Sequence, residues 1–226
     1  MCKGEVLGTM NLGSFRPRAF PREVVELLEP VTRQLGLVLD NVRTLQDAKQ
    51  LSLVDSLTEL YNHRYFYQAV NREIARGREY KRPLSLMIMD IDGLKAFNDK
   101  HGHAEGDSVL KTISGVIREN IREIDIVARY GGDEFAILLP EVRAENSGDD
   151  SYTASGLAEK IRAAVSTHVF PDGAGGSHVS LSVGIVEYPL HAHDAVSLLE
   201  HAESAMHEAR DGGKDRAVVA RARNGR

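Results

Sequence analysis

Residues 84–90 (LSLMIMD) form an apolar run too continuous for a half-exposed strand, which predicts a strand covered on both faces. Around it the apolar positions change period. Phe66, Val70 and Ile74 recur at helical spacing within 64–80, as do Leu110, Ile113, Val116 and Ile117 within 107–121. Segments 126–130 and 135–139 read as two strands joined through Gly131-Gly132, a hairpin signal. A polar, glycine-containing loop at 145–156 leads to a helix at 158–166, a loop at 172–176 and a strand at 179–187. A helix at 198–210 and a short strand at 217–220 complete the pattern. The order is βαββαβ with additional elements. It predicts an α+β domain with helices packed on a central, mostly antiparallel sheet.

Residues 1–54 differ in character from 55–226, and two parts are expected at that boundary. A short apolar segment at 5–12 precedes a proline-containing turn at 16–21. Leu28, Val31, Leu35, Val38, Val42 and Leu45 then alternate at spacings of three and four, a narrow heptad seam that continues weakly to Leu51. Pro30 is expected to kink this helix or to sit near its start, because it lacks an amide hydrogen. Arg33, Asp40, Arg43 and Asp47 leave the other faces charged, so the reading favoured is a parallel dimerisation or signalling helix. One strand and one helix cannot bury a core alone.

Composition narrows the function classes. The 226 residues are 42% hydrophobic with a net charge of −5 and mixed signs, so no basic face points to nucleic acid or an anionic membrane. Cys2 is the single cysteine, which excludes an internal disulfide and agrees with a reducing compartment. No apolar run approaches a membrane span and no signal-peptide pattern opens the chain, so a cytoplasmic protein is expected. His191 and His193 read as members of a solvated loop after Pro189, and no histidine has partners at zinc spacing.

Two acidic clusters carry the chemistry. Asp90-Ile91-Asp92 closes the buried strand, and Gly131-Gly132-Asp133-Glu134-Phe135 forms the hairpin tip. Carboxylates at adjacent strand ends repel one another unless cations stand between them, and oxygen donors beside phosphates suit magnesium. The glycines are expected to supply positive φ and close backbone approach to a phosphate chain. Two metal ions about 4 Å apart activate a hydroxyl and stabilise a leaving oxygen in an in-line displacement.

The motifs Asp55-Ser-Leu-Thr-Glu-Leu-Tyr-Asn62, Asp90-Ile-Asp-Gly-Leu-Lys-Ala-Phe-Asn98-Asp99, Gly102-His103, Gly106-Asp107, Arg122-Glu-Ile-Asp125 and Gly131–Phe135 resemble those of GGDEF domains in order and spacing. Ser182-Val-Gly184 and Ala209-Arg210-Asp-Gly-Gly213-Lys214 extend the resemblance over about residues 53–221. It implies a diguanylate cyclase that condenses two GTP into cyclic di-GMP. The preceding segment resembles the last strand and helix of a GAF sensor domain, so the chain is expected to carry only a piece of that sensor. Carried over residue by residue, Asp90, the Ile91 carbonyl and Asp133 are metal ligands with Glu134 contributing. Two magnesium ions per site are implied, with manganese as a substitute. Asp133 also matches the acceptor of the ribose 3′-hydroxyl proton, and Lys95 the residue that stabilises phosphate charge. Asn98 and Asp107 resemble the guanine-reading pair, with His103 nearby. Arg210 and Lys214, placed four apart on a helix end, resemble the β/γ-phosphate clamp, and Gly131 and Gly132 line the phosphates. Arg122 and Asp125, with five residues separating Asp125 from Gly131, match the RxxD of an inhibitory product site.

The chain departs from the family pattern at a few positions. Gly93 and Leu94 replace aromatic residues, which implies a looser guanine pocket. Glu59 replaces a common glycine, His207 a common tyrosine, and Arg210 a common lysine. One GTP per domain and two reciprocal bonds in the product imply a homodimer facing antiparallel. The alternatives weighed are a catalytically silent GGDEF domain acting as GTP or cyclic di-GMP receptor, and a cyclase of altered base choice, against which Asp107 argues.

Overall fold

The computed structural model describes residues 13–15, 21–22, 26–28, 30–39, 53–145, 152–170 and 176–221. It divides into two compact units, Met1–Ser52 and Leu53–Arg226. In the first, residues 26–28 and 30–39 are helical, so helix flanks Pro30 on both sides. Val31, Leu35 and Val38 of the seam are 48%, 51% and 53% exposed. The strand expected at 5–12, most of the turn at 16–21, Val42, Leu45 and Leu51 lie outside the described residues.

The second unit holds the elements β1 (Tyr61–Asn62), α1 (His63–Tyr80), β2 (Leu84–Asp92), α2 (Leu94–His101), α3 (His103–Asn120), β3 (Ile126–Arg129), β4 (Glu134–Pro140), α4 (Ala154–Thr167), β5 (Ser180–Tyr188), α5 (Ala195–Asp211) and β6 (Arg216–Val219). The six strands lie in the order β1-β3-β4-β2-β5-β6. The four central strands pair antiparallel, while β1 joins β3 and β6 joins β5 in parallel. The α+β class, the mostly antiparallel centre and the hairpin are as the sequence predicts.

All nine residues of β2 are buried, and the two-residue period sorts them. Met87, Met89 and Ile91 enter one core with Phe97, Ile113 and Ile161 of α2, α3 and α4. Leu84, Leu86 and Ile88 enter a second core with Phe66 and Val70 of α1 and Leu198 and Met206 of α5. Helices therefore cover both faces, which is why the run of apolar residues is unbroken. The same alternation puts Asp90 and Asp92, with Glu134 of β4 and Ser180, Ser182 and Gly184 of β5, on the face of α1 and α5.

Several boundaries differ from the sequence reading. α2 and β1 went unpredicted: α2 is only eight residues long between Gly93 and Gly102, and β1 has two residues. α3 begins at His103 rather than at 107. α4 begins at Ala154, capped by Thr153 Oγ1, which accepts from the Gly156 amide at 3.1 Å; that first turn falls inside the expected loop. Residues 146–151 and 172–175 of the expected loops lie outside the described residues.

His191 is not solvated. It is 4% exposed, and its Nδ1 accepts from the Glu187 amide at 2.8 Å. Burial lowers its pKa below the ordinary 6.5, with the Glu187 charge pulling the other way. A depressed folded value means that the unfolded chain takes the proton first, so this contribution to stability is present above about pH 6.5 and lost as pH falls. The difference in melting temperature between wild type and His191→Asn is expected to narrow from about pH 7.5 to about pH 5. A constant difference across that range would show that His191 does not titrate in the fold.

Candidate active site

Asp90 sits directly opposite Glu134 on one neighbouring strand and Ser182 on the other. The hairpin tip folds back on the same strand, the Ile91 amide donating to the Asp133 carbonyl at 3.1 Å. Sheet register thus fixes Asp90 and Glu134, and the backbone bond to Ile91 holds Asp133 of the hairpin loop beside them. Asp90 is 7% exposed, and its pKa is pushed up to about 6 by burial first and then by Asp133, Glu134 and Asp92, with Arg210 opposing. Burial also raises Glu134, helped by Asp133 and Glu203. Arg210, in the last turn of α5, brings Nη1 to 3.6 Å from Asp90 Oδ2, and its Nη2 meets His207 Nδ1 at 2.9 Å.

The donor set fits magnesium. Among the described residues no three His, Cys, Asp or Glu side chains close into a complete cage. What converges is the facing pair Asp90 and Glu134 with Asp133 on the hairpin beside them, an open set of oxygen donors that leaves room for waters and substrate phosphates. Burial and mutual repulsion raise the pKa values of Asp90 and Glu134, and a bound cation would oppose both effects.

The glycines of the tip work differently from expectation. Neither Gly131 nor Gly132 has positive φ. At Gly131 a Cβ would collide with the Glu134 carboxylate, whereas at Gly132 it would meet nothing within 4 Å. Gly131 therefore makes space for Glu134, and Gly132 keeps an open approach. Positive φ occurs instead at Gly93, 79°, where the chain turns from β2 into α2, and at Glu59, 58°, which explains why glycine is common at the latter position. Leu94 packs in the core at 5% exposure rather than standing in for an aromatic on the pocket wall.

Lys95 is exposed on the first turn of α2, and His103 and Asp107 are exposed four apart on α3. Asn98 Oδ1 is buried without a hydrogen-bond partner. A Cβ on Gly106 would occupy the place of that oxygen, so the glycine lets Asn98 lie against α3 beside Asp107. Lys214 is not on a helix end. α5 stops at Asp211, and Lys214 follows in a turn with φ 63°, its amide donating to the Ala209 carbonyl at 3.1 Å.

Arg122 and Asp125 lie away from this edge, at the start of β3, where Arg122 Nη2 donates to the Pro140 carbonyl at 3.1 Å. Pro140 and Glu134 are opposite ends of β4. A cavity of about 530 Å³ also lies away from the acids, lined by Lys81, Arg82, Arg143, Tyr188 and His193 among others.

Sequence reasoning missed several members of the site. Asp92 is a structural tie: it accepts from Ser180 Oγ at 2.7 Å, Ser182 Oγ at 2.8 Å and the Asp215 amide at 3.1 Å, fastening β5 and the turn after α5 to β2. The Ser-x-Ser spacing of Ser180 and Ser182 was the available signal. Arg129 links the Asp55 turn, 3.4 Å away, to the Gly132 carbonyl at 2.7 Å. Glu203 accepts from the Tyr130 hydroxyl at 2.8 Å beside the hairpin.

The family model described as "Diguanylate cyclase, GGDEF domain" matches residues 52–216, and the chain belongs to the GGDEF family. It is 38% identical over 207 residues to diguanylate cyclase TpbB of Pseudomonas aeruginosa, covering 86% of this chain and 46% of that protein. It is 32% identical over 197 residues to the probable diguanylate cyclase DgcT of Escherichia coli, covering 86% of this chain and 42% of that protein. The chain thus spans less than half the length of these relatives. The GGDEF domain of TpbB (YfiN) superposes with a TM-score of 0.66 at 34% identity, covering 73% of this chain and 98% of that one. The coiled coil and GGDEF domain of DgcB from Caulobacter crescentus, in complex with c-di-GMP, superposes with a TM-score of 0.67 at 26% identity, covering 86% and 99%. No helix among the described residues is long and apolar enough to cross a membrane.

Proposed function

We propose that this chain is a diguanylate cyclase that joins two GTP molecules into cyclic di-GMP and releases two pyrophosphates. The observation that carries the reading is the acidic edge, where Asp90 and Glu134 face each other in register with Asp133 bonded beside them. Asp90, Asp133 and the Ile91 carbonyl would hold magnesium or manganese, two ions per site, with Glu134 contributing. The bound metal supplies Lewis-acid polarisation of the attacking hydroxyl and the phosphates. Asp133 accepts the 3′-hydroxyl proton. The 3′-oxygen of one nucleotide bonds to the α-phosphorus of the other, the bond to the β-phosphate oxygen breaks, and pyrophosphate leaves. Lys95, Arg210 and Lys214 offset charge on the phosphates. Gly132 leaves the backbone open to them.

Guanine recognition falls to Asn98 and Asp107, with His103 at the same end of α3. The Asn98 carboxamide carries both a donor and an acceptor group, suited to a guanine edge. Asp107→Ser is expected to erode GTP-over-ATP selectivity by a large share of the roughly 10⁴-fold available to hydrogen-bonding sites. Unchanged product ratios in a mixed GTP/ATP assay would remove Asp107 from base reading.

Each domain holds one GTP, so two protomers face each other and exchange 3′-hydroxyls. The exposed apolar positions Val31, Leu35 and Val38 support pairing through the N-terminal helix. Arg122 and Asp125 form the site through which cyclic di-GMP feeds back. The single cysteine supports a reducing, cytoplasmic setting.

The test is incubation of the purified protein with GTP and magnesium, followed by separation of products. Cyclic di-GMP with two pyrophosphates per molecule is expected, and none when the metal is chelated. GTP binding without turnover would overturn the cyclase reading in favour of a silent receptor.

A further inference from the structure

The Arg122–Asp125 pair is already filled by a third residue. The Asp125 side chain is 0% exposed. Its Oδ1 accepts from Arg122 Nη2 at 2.7 Å, and its Oδ2 accepts from the Arg122 amide at 2.8 Å and from the Tyr152 hydroxyl at 2.9 Å. Arg122 Nε lies 3.2 Å from both oxygens. The guanidinium carbon sits 4.5 Å over the Tyr152 ring. Tyr152 thus presents a flat ring to the cation and a donor to the carboxylate, which is what the Watson–Crick edge and face of a guanine would present.

A guanine that uses Asp125 must displace one of its partners. Arg122 holds the carboxylate through its amide, Nε and Nη2, and is itself tied to the Pro140 carbonyl. Tyr152 is held by one hydrogen bond to the carboxylate and one partly exposed cation–π contact with Arg122, the weaker attachment.

We infer that Tyr152 is a built-in competitor for the product site, occupying the place of a guanine base of cyclic di-GMP and setting the concentration at which feedback begins. The inference rests on the reading of Arg122 and Asp125 as that site. The fraction of protein with Tyr152 swung away scales the apparent affinity, so removing the competitor tightens binding.

The test is calorimetric titration of cyclic di-GMP into the full chain in chelator, which disfavours the metal-dependent active site, together with product inhibition of the initial rate. Tyr152→Ala is expected to tighten product binding about tenfold and to lower the inhibitory concentration in step, the order expected when one hydrogen bond and one stacking contact are lost. Tyr152→Phe keeps the ring and loses the hydroxyl, and should fall between; it also serves if the alanine variant folds poorly. Equal or weaker binding in both variants overturns the inference, since a supporting residue would weaken binding on removal. Arg122→Ala separates the two levels: if it leaves product affinity unchanged, the product-site reading itself fails, whatever Tyr152 does.

Discussion

Asp133→Asn is expected to lower cyclic di-GMP formation by about a hundredfold or more, the scale on which removing one preorganised electrostatic partner acts. The residue holds two positions at once: its carbonyl pins the hairpin to the Ile91 amide, and its carboxylate adds to the charge pressing on Asp90. The substitution keeps the first and removes the second. Activity falls while the fold persists, and in metal-free buffer the melting temperature should equal or exceed that of wild type because repulsion is relieved. Asp90→Asn should behave alike. Its raised folded pKa of about 6, against 3.8 unfolded, means that its contribution to stability is present at low pH and lost as pH rises through about 6. The gap in melting temperature between Asp90→Asn and metal-free wild type should therefore widen over that interval. More than about a tenth of wild-type turnover in Asp133→Asn would remove it from the chemistry.

Gly184→Ala is expected to cost both stability and turnover without touching a reacting atom. Its Cβ would collide with the Ala202 carbonyl and the Met206 amide, and would stand 2.9 Å from Met206 Cα. These are helix backbone atoms, which no rotamer change can move aside, so α5 must shift away from β5. Overpacking of this kind costs about 1–3 kcal/mol. At the upper end that is a fall of roughly 6–12 °C in melting temperature for a domain of this size. The same helix carries Arg210 to within 3.6 Å of Asp90, so a several-fold loss of turnover should accompany the shift. A variant that melts and turns over like wild type would show that β5 and α5 can separate freely.

Legibility followed the length and regularity of each element. β2 was plain because both of its faces are covered, and α1, α3 and α5 announced themselves by apolar positions at helical spacing. α2 was hidden because its eight residues carry only two buried ones, Leu94 and Phe97, too few to show a period. The acids themselves could be read, and so could their convergence, since each cluster ends or begins a strand. Asp92 looked like one more carboxylate of the edge and proved to be a clasp, because its partners Ser180 and Ser182 lie 88 and 90 residues away. Tyr152 gave no signal: it stands beside an aperiodic segment, and only tertiary contact places its ring under Arg122.

β4 has Glu134 at one end and Pro140, whose carbonyl receives Arg122, at the other. Six residue steps of extended chain span about 20 Å. Six of its seven residues are buried and it is paired on both sides, so it behaves as a strut and not a spring. On the proposed reading, cyclic di-GMP at Arg122 has no soft path by which to disturb the acids at the far end. What it can change is the attitude of the whole domain, as a hand on a tiller turns a boat without bending the hull. Feedback of that kind slows the encounter of two domains while each keeps its affinity for GTP.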